Sequence, residues 1–197
     1  MSATRTNKLS AAEVSSVLQR CSLPPEAEAL TAGQGDLMSI IQSLADAGFL
    51  IEATRVFAHA LPKREAVWWA CMCATHTPAA QIPPQDLKMR ELAETWVRQQ
   101  SDEVRRAGME EAKRAGFKSP ESWAAVAAFW SGDSVTPLNT PPVPAPPHLT
   151  GVAVAGAVAL ASVRGEPNRQ RQRLALFLQS AQDIAGGGPG RLPVEAA

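Results

Sequence analysis

The sequence predicts an all-α fold, a compact array of antiparallel helical hairpins around a buried central helix. Three observations carry this reading. Apolar residues recur at i, i+3, i+4 and i+7 in one segment after another. No segment sustains the strict alternation of a half-buried strand, and no Asn-Gly turn joins β-branched runs. Helix start and stop residues stand where the periodic segments begin and end.

Residues 1–9 carry no pattern and are expected to be disordered. Ser10 opens the first helix, with Glu13 three positions later completing a capping box. Val14, Val17, Leu18 and Cys21 then line one face. Leu23-Pro24-Pro25 ends that helix, and a short helical piece or turn follows. Leu37, Ile40, Ile41 and Leu44 repeat the spacing, and Gly48 closes the helix from just past its end. Leu50, Thr54, Phe57, Ala58 and Leu61 mark the next helix, with Glu52, Arg55 and His59 on its other side.

Leu61-Pro62 is a boundary, because the residue before a proline is pushed out of helical conformation. The unbroken apolar run Ala66–Ala74, AVWWACMCA, reads as the central helix, buried on several sides. Pro78–Pro84 is a loop. Met89, Leu92, Ala93, Trp96 and Val97 form the next apolar face. Ser101 caps a charged helix with a thin stripe of Val104, Ala107, Ala112 and Ala115, which places it outermost. Ser119-Pro120-Glu121 is a strong start signal, followed by Trp123, Val126, Ala127 and Trp130. A small-residue helix starts at Leu149. The last helix turns Leu174, Phe177, Leu178 and Ala181 inward, with RQRQR at its exposed start. GGGPG ends it, and residues 186–197 are expected to be a disordered tail. Residues 10–185 therefore form the expected single domain.

Between the Trp123–Trp130 helix and the final helix pair lies NTPPVPAPPHLT, Asn139–Thr150, with five of the chain's 16 prolines. Such a run favours polyproline II, and the 11 residues from Pro137 to Pro147 would reach roughly 30 Å. Three readings compete: a recognition peptide for a partner's aromatic groove, a spacer between domains, or a strap across one domain. The strap is favoured, because two helices are too few to stand alone and Trp123 and Trp130 arrive just before it. Adjacent Trp68 and Trp69 point about 100° apart on a helix, so one of them edges the surface or meets the strap. The candidate partner-binding or strap-packing residues are thus Trp68, Trp69, Trp123, Trp130, Pro142, Pro144, Pro146, Pro147 and His148.

The totals exclude several functions. Nineteen Lys and Arg balance 19 Asp and Glu, which speaks against broad binding to nucleic acid or anionic membrane. The three cysteines do not form a secreted disulfide framework, and the N-terminus lacks the apolar stretch of a signal peptide. Leu149–Val163 is 15 residues long, short of the roughly 20 that a membrane span needs. The expected setting is a reduced cytoplasm.

Chemistry-bearing motifs are weak. Cys71 and Cys73 point about 200° apart on a helix, and Cys73 with His76 supplies too few ligands for structural zinc. SGDSV at 131–135 resembles a hydrolase Gly-Asp-Ser block, but it follows a helix rather than a strand. His59, His76 and His148 are scattered, and no Gly-rich phosphate loop is present. No catalytic residue, cofactor or metal is expected.

LPKREAVWWACMCA (61–74), AETWV (93–97), SPESWAAVAAFWSGDSVTP (119–137) and PPVPAPPHLTGVAVAGAVALA (141–161) together resemble a family of short bacterial proteins of unknown function. Members of that family are often found near type VI secretion genes. The resemblance covers about residues 45–180. It implies a non-enzymatic accessory role, as an adaptor or chaperone that binds a secretion effector or apparatus component. An immunity protein that neutralises a toxin is the alternative, and an esterase-like hydrolase a remote one.

Overall fold

Local chemistry sets the helix ends in the computed structural model, which describes residues 7–9, 12–77 and 82–196. Among these residues there are ten α-helices, one 3-10 turn and no strand. The first five helices are α1 (Val14–Cys21), α2 (Pro25–Ala29), α3 (Leu37–Asp46), α4 (Leu50–Ala60) and α5 (Lys63–His76). The others are α6 (Pro84–Gln99), α7 (Asp102–Ala115), α8 (Pro120–Trp130), α9 (Leu149–Val163) and α10 (Gln170–Ala185), with the 3-10 turn at Pro167–Arg169.

Ser10, the expected first cap, lies outside the described residues, as do residues 78–81 of the Pro78–Pro84 loop. Glu13 stands at the start of α1, where its carboxylate accepts from the Ser15 and Ser16 hydroxyls. Gly48 closes α3 at φ 87°, with Gly48 N donating to Ala45 O and Phe49 N to Leu44 O. That double bond is the Schellman arrangement, and it needs the left-handed backbone that glycine adopts without strain. At α8, Ser119 Oγ accepts from Ser122 N and Ser122 Oγ accepts from Ser119 N, each at 3.1 Å.

The central helix α5 buries nine of its 14 residues, with Trp69 fully enclosed. The indole stands edge-on to Phe57, and its Nε1 donates to Phe177 O at 2.9 Å. Helix α9 packs on α8, α5 and α4. Its small residues allow that close approach: a Cβ at Gly151 would collide with the His59 ring on α4.

α8 and α9 form an antiparallel hairpin, held at both ends. At one end Ser131 Oγ lies 3.2 Å from Thr150 Oγ1. At the other, the Arg164 guanidinium grips both carboxylate oxygens of Glu121. This corrects the strap. The start of α9 sits beside the end of α8, so the proline segment closes a loop between neighbours and has no domain to traverse.

Several other expectations fail, two of them because long polar side chains find partners inside. The α7 stripe is Arg105, Gly108, Met109 and Ala112, while Ala107 is exposed. Buried Arg105 donates to Phe129 O at 3.0 Å, lies over the Phe129 ring and pairs with Asp102. α8 buries every residue from Ala124 to Phe129, and Trp123 and Trp130 sit at its half-exposed edges. Arg173, in the supposedly exposed RQRQR segment, is 3% exposed.

The terminal segments are also held. Leu9 is buried and Lys8 N donates to Ala185 O. The tail expected to be disordered lies on α5 and α10. Ser180 Oγ donates to Gly190 O, His76 Nδ1 donates to Pro193 O at 2.5 Å, and Glu195 N donates to His76 O at 2.8 Å. Its anchor is Arg173, which donates to both carboxylate oxygens of Glu195 and to the carbonyls of Ser162 and Arg164 at the end of α9. A cation there satisfies carbonyls that the helix leaves unpaired and complements its dipole.

Among the described residues, no single helix is long and apolar enough to cross a membrane.

Candidate interaction surface

The connection from Ser131 to His148 is built by a few short polar side chains. Ser134 Oγ accepts from the backbone N–H groups of Thr136 and Val143, each at 3.2 Å. Val135 N donates to Val143 O at 2.8 Å, and Thr136 Oγ1 donates to Pro141 O at 2.8 Å. These bonds cross the neck of the loop and fold it back on itself. Arg106 of α7 braces it from below, donating to Thr136 O at 2.8 Å while Asp102 holds its guanidinium. The loop thus rests on an ion pair of the neighbouring helix.

The loop projects apolar side chains outward. Leu138 is 75% and Val143 51% exposed, and Pro141, Pro142, Pro144, Pro146, Pro147 and His148 are exposed as well. Ala145 is the inward anchor, at 7% exposure. Proline keeps this surface stiff, since each ring fixes φ. Apolar groups held out in water on a loop with little conformational freedom suit docking, because little entropy is lost on binding.

The tryptophans do not join this surface as a set. Trp69 lies in the core and has no access to a partner. Trp68 is half-buried and donates through Nε1 to Pro189 O at 2.7 Å, so it meets the tail rather than residues 139–148. Trp123 and Trp130 stand edge to face, with ring centroids 6.5 Å apart. Trp123 also donates to Phe117 O and faces Gly156 of α9. Its ring is therefore taken up by the α8–α9 seam.

The chemistry-bearing residues are placed just as plainly. Cys21, Cys71 and Cys73 are buried free thiols. Burial pushes the Cys21 thiol up to about 12 and raises Cys71 and Cys73 as well. Such thiols are poor nucleophiles at neutral pH. No group of three or more metal-ligating side chains stands together among the described residues. Ser134, the serine of SGDSV, is 8% exposed and commits its oxygen to the loop neck.

Sequence reasoning missed Arg106 and the fold-back of the neck. Nothing local marks either, because Arg106 reads as one more surface charge and Ser134 as a turn residue. Comparison with known proteins bears on the helices around the loop and on the loop itself. A family profile matches residues 40–185, which takes in α4 to α10 and the whole proline connection. The chain belongs to DUF6931, a family of unknown function. The DUF6931 match ends at Ala185, so α1, α2 and the tail lie outside it. No curated protein and no solved structure matches the chain.

Proposed function

We propose that this DUF6931 chain is a non-enzymatic accessory factor that binds a protein partner through the 137–148 loop. The observation that supports the reading is a braced loop that holds Leu138, Val143 and six prolines out in solvent. An extended proline-rich segment presents its rings to an aromatic groove and is already partly ordered before binding. The resemblance to bacterial proteins met near type VI secretion genes supports, as the proposed partner class, a secretion effector or apparatus component. The role is then that of an adaptor or chaperone in the cytoplasm.

Co-expression with a type VI effector of the native host tests the role. The expected result is more soluble or more secreted effector, lost when Leu138 and Val143 are both replaced by serine. Rescue of cells from the effector's toxicity, with no gain in solubility or secretion, would instead make the chain an immunity protein. Turnover of simple esters, abolished by Ser134→Ala, would overturn the non-enzymatic reading.

A further inference from the structure

A second feature lies away from the loop, in a groove between α1, α4, α9 and α10. It has a volume of about 550 Å³ and a mostly apolar floor formed by Ile51, Val152, Ala155, Ala159 and Leu174. Small-molecule sites have volumes of about 300–1,000 Å³ and pair an apolar lining with a few placed polar groups. The polar groups here are Arg20, Ser22, Arg55, Thr54 and His59.

Thr54 is the informative residue. It is 2% exposed, lines the groove, and its Oγ1 has no hydrogen-bond partner among the described residues. A buried hydroxyl without a partner is costly, and such groups call for an explanation. The two guanidiniums add a second observation. Neither Arg20 nor Arg55 forms an ion pair among the described residues. Glu13 is within electrostatic range of Arg20, but its oxygens are taken by Ser15 and Ser16. His59 is neutral at pH 7, since burial first and then Arg20 and His148 lower it to about 4. Among the described residues, the groove therefore has an apolar body, a buried hydroxyl without a partner and two cations outside any ion pair, with no acidic side chain in its lining.

We infer that this groove binds a small aliphatic carboxylate, its head on Arg20, Arg55 and the Thr54 hydroxyl and its tail along α9. Carboxylate oxygens match a guanidinium fork and accept from a hydroxyl at the same time. The tail would cover Ile51 and Val152, which are 37% and 43% exposed.

Calorimetric titration of the full chain with octanoate, and with 1-octanol as the uncharged probe, tests this. Saturable one-to-one binding of octanoate is expected, at least tenfold tighter than that of 1-octanol. Replacing Arg20 and Arg55 together by alanine should weaken it at least tenfold. So should Ala159→Phe, which fills the floor from a half-exposed position. Thr54→Val should weaken octanoate while raising the thermal midpoint, because it removes an unpaired buried hydroxyl; a purely structural role predicts only the second change. No saturable binding, equal binding of the two probes, or binding that survives all these substitutions overturns the assignment. None of these results depends on the 137–148 loop.

Discussion

Glu121 is fully buried, and its charge is matched by Arg164, which also donates to Thr77 O at 2.9 Å at the end of α5. A buried ion pair of this kind is a weak source of net stability, but breaking it leaves a charge stranded in the interior. Arg164→Ala should therefore destabilise the fold by about 3–5 kcal/mol. Denaturant unfolding reads this as a lower midpoint at unchanged slope. His59 makes a prediction of opposite electrostatic character. Its folded value is about 4 against an ordinary 6.5, so between those values the unfolded chain binds more protons. The stability it contributes is complete above pH 6.5 and is lost as the pH falls toward 4. Thermal melts over that interval should show the decline, and His59→Gln should flatten it.

Among the elements, apolar faces were legible from spacing alone. Leu37, Ile40, Ile41 and Leu44 are all buried, and the caps at Ser119 and Gly48 form where local chemistry puts them. Those signals are contained within one or two turns. The proline connection and the tail were not legible, because their fate depends on partners far along the chain. Trp68 and Pro189 are 121 positions apart, and His76 and Pro193 are 117 apart. The charges of Arg105 and Arg173 read as solvent-facing for the same reason, and nothing local marked Glu121 as buried. Arg173 is the clearest case, since it joins the end of α9 to the tail through Glu195. Glu195→Ala should cost about 1.5–3 kcal/mol, the range for a lost bond to a charged group. Limited proteolysis should then cut the 189–196 segment, which resists in the parent chain.

At the scale of the whole molecule, α9 holds the helices together. It packs on α4, α5 and α8, and Ala153, Val154, Ala157, Val158 and Ala161 are entirely buried there. Removing it would expose the facing sides of three helices at once. A chain ending at Pro147 should accordingly lose its cooperative melt and bind a hydrophobic dye. The small-residue character of Leu149–Val163 pointed to a close neighbour, but the topology around it was not legible: the strap reading put a domain's width between α8 and α9, which are direct neighbours. Prolines in a closed, braced loop face outward, where a partner can reach them.

The most direct test of partner binding through this loop is capture from the native host with the full chain and its Leu138→Ser/Val143→Ser variant. Matching melts first establish that the variant is folded, as expected for two exposed positions. The account predicts a specific protein retained by the parent chain at near-stoichiometric yield and lost with the variant. Equal retention by both chains, or none by either, would contradict it.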